Sequence, residues 1–127
     1  MIFGTGIDLV RIKRIEKTVV RWGERFVNRV YTPGEARHCY SRVSPFSAFA
    51  LRFAAKEAFS KALGLGMRKG VRWKDIEIFV HPSGKPGIMV HGVCAEICDR
   101  NEITGTHLSL SDEGEYGAAM VILERDS

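Results

Sequence analysis

The segment Arg52-Phe53-Ala54-Ala55-Lys56-Glu57-Ala58-Phe59-Ser60-Lys61-Ala62-Leu63 consists of helix-forming residues and ends at Gly64, so it is expected to be a helix stopped by a glycine cap. At helical spacing Arg52 and Lys56 share one face, and Phe53, Glu57 and Lys61 share another. The second stripe carries an aromatic ring, so it meets the rest of the protein at least in part. A Glu-Lys pair four residues apart is in itself an ordinary helix-stabilising device worth about 0.2–0.5 kcal/mol. Asp8 changes its weight. It stands alone between apolar residues in Gly4-Thr5-Gly6-Ile7-Asp8-Leu9-Val10, an extended stretch, and a buried carboxylate calls for a cation or a metal.

With 127 residues, 45% of them hydrophobic, the chain suffices for one domain, 1–127, with a real core. Its longest apolar runs fall far short of the ~20 residues that cross a bilayer. Asp8 and Arg11 also stand where a secretory signal would continue its apolar core. A cytoplasmic protein is the expectation. Three cysteines, Cys39, Cys94 and Cys98, are an odd number without a secretory context, which argues against a disulfide framework. Cys94 and Cys98 on one helix, even with His91, are too few ligands for structural zinc, and all read as small core residues. The net charge of +4 points to an acidic partner: nucleic acid, a phosphate-rich small molecule or an acidic protein.

Residues 2–9 read as a strand, and a helix over residues 10–26 follows, with Ile12, Ile15, Val19, Trp22 and Phe26 as its apolar stripe. On the same wheel Arg11, Arg14, Lys17, Arg21 and Arg25 gather on a separate sector. These cations repel one another at neighbouring turns, and an acidic partner would relieve that repulsion. Thr32-Pro33-Gly34-Glu35 is a capping box opening a helix to residue 42. Ser44-Pro45 starts the helix over 46–63 that carries Glu57, and Gly64 and Gly66 mark its end. The following Gly64-Leu65-Gly66-Met67-Arg68-Lys69-Gly70 lacks dinucleotide and P-loop spacing and reads as a basic surface turn.

Beyond Trp73 the pattern alternates, with Ile76, Ile78 and Val80 on one side. Pro82-Ser83-Gly84-Lys85-Pro86-Gly87 turns the chain into a partner strand at 88–90, so this is a hairpin with a lysine at its tip. A short helix containing Val93, Cys94, Ile97 and Cys98 precedes two more strands, 106–111 and 116–123. His107, Ser109 and Ser111 share a face of the first. The fold class is therefore α+β, a single compact domain of helices packed on antiparallel strands and hairpins.

Gly6-Ile7-Asp8-Leu9-Val10 with Ile12 and Arg14-Ile15, the central Arg52-Phe53-Ala54-Ala55-Lys56-Glu57-Ala58 through Lys61-Ala62-Leu63-Gly64, Gly84-Lys85-Pro86 and His107-Leu108-Ser109-Leu110-Ser111-Asp112 together resemble the holo-[acyl-carrier-protein] synthases. Order and spacing agree over essentially the whole chain. The early Gly-Ile-Asp paired with Phe-x-x-Lys-Glu is the signature of phosphopantetheinyl transferases, and the short length resembles the bacterial carrier-protein class. That resemblance implies a 4'-phosphopantetheinyl transferase-like fold. It also implies transfer of the 4'-phosphopantetheine arm of coenzyme A to a serine of apo acyl carrier protein, releasing adenosine 3',5'-bisphosphate, in support of fatty acid biosynthesis.

The resemblance further implies magnesium on Asp8 and Glu57, and catalysis by Glu57, Lys61 and Asp8. Lys61 would contact phosphate; Glu57, or a metal-held water beside it, would take the serine proton, with Asp8 the alternative. Coenzyme A would meet Arg52, Lys61, Gly84, Lys85, Pro86 and His107, although Arg52 and Lys56 could equally be surface cations. Acyl carrier protein, being acidic, would dock on Arg14 and Arg21 with Arg11 and Arg25 behind them. A homotrimer with active sites between subunits is the implied assembly.

Two other classes compete with this reading. A basic nucleic-acid module would need exposed aromatics or a recognition pattern that the strands lack, so no nucleic-acid or membrane partner is expected. A silent domain that only binds acidic carriers has no need of both Asp8 and Glu57.

Overall fold

The computed structural model describes residues 1–126. In chain order the elements are β1 (Ile2–Arg11), α1 (Ile12–Trp22), α2 (Glu24–Val30), α3 (Pro33–Ser41), α4 (Pro45–Leu63), a 3-10 turn (Trp73–Asp75), β2 (Ile76–Val80), β3 (Pro86–Val90), α5 (Gly92–Arg100), β4 (Ile103–Glu113) and β5 (Tyr116–Arg125). The expected α+β class holds. β1, β5 and β4 form an antiparallel sheet in that order, and β2 with β3 forms a separate hairpin. β5 is thus the central strand, pairing Asp8 with Ala119 on one side and Leu108 with Val121 on the other.

α4 lies across the sheet as the core element. Ala54, Ala55, Ala58, Phe59 and Ala62 are buried, as are Val10, Leu108, Ala119, Val121 and Leu123 of the sheet. Burial on most sides explains why α4 lacks a polar stripe of ordinary width. Phe59 is fully buried, and truncating such a ring costs about 3–5 kcal/mol.

The single helix expected over 10–26 is two. Gly23, at φ +55 and ψ −129, closes α1 through its N–H to the Val19 carbonyl and starts α2, whose Phe26 and Val27 N–H groups bond the Gly23 carbonyl. Only glycine adopts such a backbone without strain. The break turns Trp22 out to 48% exposure, and Val27 and Val30 of α2 enter the core in its place. It also redistributes the basic face: Arg11 ends β1, and Arg25 lies on α2.

The capping box forms in full, with the Glu35 N–H donating to Thr32 Oγ1 and the Thr32 N–H to Glu35 Oε1. The hairpin tip is a turn at Gly84 (φ +93) beside Lys85. Val80 stands 43% exposed at the end of its strand, outside the buried pair Ile76 and Ile78. All three cysteines are buried and free.

Candidate active site

The close approach of β1 to α4 builds the site. Gly4, Gly6, Asp8 and Val10 alternate onto the inner face of β1. A Cβ at Gly4 or Gly6 would overlap the carbonyl oxygen of Ala62 or Ala58 respectively, so strand and helix meet backbone to backbone there. Asp8 follows next on that face, where Glu57 and Lys61 of α4 project beside Ala58 and Ala62. Lys61 Nζ donates to Asp8 Oδ1 and to the Ile7 carbonyl, both at 3.0 Å. The lone acid of β1 therefore has its cation, and Lys61 serves Asp8 in place of Glu57, its expected i,i+4 partner.

Glu57 is half-buried, and its carboxyl is pushed above the ordinary range, first by burial and then by the Asp8 charge; Lys61 and Arg14 act in the opposite direction. Asp8, Glu57, Lys61 and Arg14 thus share one electrostatic neighbourhood. A raised carboxylate holds a proton more readily, which suits proton transfer. The donor set also fits a hard cation. Magnesium takes one or two carboxylates and keeps its other positions for waters and phosphate oxygens, and among the described residues no cluster of three or more metal-ligating side chains competes with this pair.

Arg52 and Lys56 are not surface cations. Arg52 is 5% exposed and Lys56 is sealed off. Lys56 Nζ donates to Glu35 Oε1 at 2.8 Å and to the carbonyls of Trp73 and Ile76 at 3.0 and 2.7 Å, while Glu35 Oε2 accepts from the Ile78 N–H. This network ties α4 to α3 and to β2. Glu35, read from sequence only as a cap, proved to be the partner; its capping role concealed the second one.

The residues expected to meet coenzyme A do not converge within one chain. Arg52, Gly84, Lys85 and Pro86 line a cleft of about 780 Å³, together with residues of α3 and β4. Lys61 belongs to the Asp8 cluster, and five helical residues separate Arg52 from Glu57, about 140° around α4. His107 lies elsewhere, on the outer face of the sheet, hydrogen-bonded through Nε2 to Glu124.

The basic surface begins in a groove of about 460 Å³ lined by Arg11, Lys13, Arg14 and Lys17. Arg11 bonds the Tyr116 hydroxyl at 2.8 Å. Arg21 and Arg25 stand over the exposed Trp22 ring, their guanidinium carbons 5.0 and 5.9 Å from its centre. Sequence reasoning missed Trp22 because its spacing matched the buried stripe; Gly23 was the available sign that the stripe ends.

A family model described as the 4'-phosphopantetheinyl transferase superfamily matches residues 4–121, a span that includes the whole Asp8–Glu57–Lys61 cluster and the cleft. The chain belongs to that superfamily. Among its curated relatives, the holo-[acyl-carrier-protein] synthase of Koribacter versatilis is 47% identical over 124 residues, covering 98% of this chain and 99% of its own. That of Geobacter sulfurreducens is 43% identical with equal coverage of each chain. A crystal structure of the Neisseria meningitidis holo-[acyl-carrier-protein] synthase superposes with a TM-score of 0.92 at 36% identity, covering 98% of this chain and 100% of that one. The Helicobacter pylori synthase, solved in complex with coenzyme A, gives 0.84 at 35% identity, covering 94% and 99%. This superfamily member thus shares sequence and fold with holo-[acyl-carrier-protein] synthases over nearly its full length.

Proposed function

We propose that this protein is a magnesium-dependent holo-[acyl-carrier-protein] synthase that moves 4'-phosphopantetheine from coenzyme A to a serine of apo acyl carrier protein. The observation that carries the reading is the meeting of Asp8, Glu57 and Lys61 where β1 and α4 touch. The serine oxygen forms a bond to the β-phosphorus of coenzyme A, and the bond from that phosphorus to the bridging oxygen breaks, releasing adenosine 3',5'-bisphosphate. Asp8 and Glu57 would hold magnesium, which when bound offsets phosphate charge.

The remaining work falls to the chain. Lys61, half-exposed beside Asp8, turns toward the pyrophosphate and supplies positive charge at the leaving side. Glu57, half-buried beside Asp8, takes the serine proton. Arg52, Gly84, Lys85 and Pro86 hold the nucleotide in the cleft, and His107 reaches its phosphates from the sheet face.

A trimer with intersubunit sites makes sense of the separation of these groups. The outer sheet face exposes Ile7 at 67%, Leu9 at 66% and Met120 at 44%, with Ile7 and Met120 directly paired across β1 and β5. Such an apolar face favours a partner, and a second subunit can bring its cleft to the first one's carboxylates. Arg14 and Arg21, with Arg11 and Arg25 flanking, steer the acidic carrier. The work belongs to fatty acid synthesis in the cytoplasm; no helix among the described residues is long and apolar enough to cross a membrane. A transfer assay with coenzyme A, apo carrier protein and magnesium, run beside a chelated control, tests the reading: product forms only with the metal.

A further inference from the structure

Both neighbours of β5 change register at Glu124. On one side the pairing passes from Ile2 opposite Glu124 to Gly4 opposite Leu123, and on the other from Ile103 opposite Arg125 to Gly105 opposite Glu124. Such irregularities interrupt a ladder and re-aim a side chain, and they gather beside working sites. Here the carboxylate of Glu124 accepts from Nε2 of His107. His107 itself pairs with Ile122, so Glu124 reaches it along the diagonal of the β4–β5 ladder.

Gly105 keeps that diagonal open. It stands directly opposite Glu124; in unshifted register with Ile103, Thr104 would stand there. Its backbone is not in the left-handed region, so conformation does not call for glycine. Space does. A Cβ at this position would lie 3.5 Å from Glu124 Cβ, 3.6 Å from Glu124 Oε1 and 3.7 Å from His107 Nε2. A methyl group would be in ordinary contact with both partners, and a branched side chain would press between them. The side chains of His107 and Glu124 are 55% and 46% exposed, and so open a pair adds little to stability. Two ladder irregularities and a glycine inside a strand weaken the sheet. Holding the fold together therefore does not account for the arrangement; holding one ring in place does.

We propose that Glu124, admitted by Gly105, is a positioning residue for His107 and fixes its ring with Nδ1 turned to the coenzyme A phosphates. A carboxylate accepts and does not donate, so the His107 Nε2 bound to it carries a hydrogen, and Nδ1 is the nitrogen left for a ligand. This inference rests on the transferase reading, in which His107 reaches those phosphates, and adds to it the residues that aim the ring. Glu124 and Gly105 themselves need not touch the nucleotide.

The test is steady-state transfer by the intact enzyme, by His107→Ala, Glu124→Ala, Glu124→Gln and Gly105→Val, and by Glu124→Ala combined with His107→Ala. His107→Ala raises the KM for coenzyme A by about tenfold, the scale of one charge-assisted hydrogen bond. Glu124→Ala and Gly105→Val leave the histidine in place, yet each raises that KM severalfold while the KM for carrier protein does not follow. Glu124→Gln keeps an acceptor oxygen and recovers part of the loss. Because Glu124 acts through His107, the double variant is no worse than His107→Ala. Additive losses in the double variant, an unchanged KM for coenzyme A in Glu124→Ala, or a loss in Glu124→Ala that light scattering traces to dissociation of the assembly overturns the positioning role alone. An unchanged KM in His107→Ala overturns it together with the phosphate contact, and absence of transfer by the intact enzyme overturns the transferase reading instead.

Discussion

Lys56 Nζ donates to Glu35 Oε1 at 2.8 Å with both side chains shut off from solvent, and this ion pair joins α4 to the capped start of α3. Burial favours the neutral amine, and Glu35 opposes that pressure. Removing one member leaves a buried charge without its counterion. Lys56→Met should therefore lower unfolding free energy by about 3–5 kcal/mol, and Lys56→Met with Glu35→Gln, which removes the unpaired charge and keeps an oxygen for the cap, should recover part of it. Denaturant titration of the three proteins measures both numbers; equal stability of the single and double variants would remove the pair from the account.

Glu77 links the same region to α5. It accepts from His91 and from Thr32 at 2.9 and 3.0 Å, and its carboxyl lies below the ordinary range, chiefly through the His91 hydrogen bond. A carboxylate with a lowered native value adds stability above its unfolded value of about 4.3, and loses it as pH falls through the lower native value. His91→Ala should thus flatten the fall in melting temperature between pH 5 and more acidic conditions. The change is small, because the pair is partly solvated.

The proposed docking surface needs a variant chosen with care. Arg14 lowers the Glu57 carboxyl value, so its substitution would disturb the site as well as any docking. Arg21 stands over Trp22 and is the cleaner probe. Arg21→Glu should raise KM for carrier protein about tenfold, more at low salt than at high, while KM for coenzyme A stays put. Equal change in both constants would count against a docking role.

The proposed assembly uses the exposed sheet face. Met120→Asp puts a charge beside Ile7 on a surface that now favours contact. Light scattering should show trimers for the intact protein and monomers for the variant, and the monomers should keep native helix content yet lose transfer. An active monomeric variant would show that one chain suffices.

The central helix, its glycine stop, the capping box and the hairpin were all legible because each depends on residues close together in sequence. Gly23 was legible too, in principle, but the apolar spacing of Trp22 and Phe26 ran straight across it. Long-range partners were harder. Nothing near Lys56 in sequence says that the Glu35 oxygen that caps a helix will also accept from an ammonium. The glycines at 4 and 6 marked an extended stretch, yet only the packing shows that they admit α4 and so bring Asp8 to Glu57. Arg52 and Glu57 share a motif but serve separate walls, because five residues of helix turn them apart. His107 and Glu124 meet as diagonal neighbours on one sheet face, which only the strand register shows.

The most direct test is the intact mass of apo acyl carrier protein after incubation with coenzyme A, magnesium and enzyme. The wild type should add one phosphopantetheine arm to the carrier serine. Folded Asp8→Ala and Glu57→Ala variants should be slower by roughly two to three orders of magnitude, the scale of losing one preorganised electrostatic partner. An unmodified carrier with wild-type enzyme, or full turnover with either variant, would contradict the account.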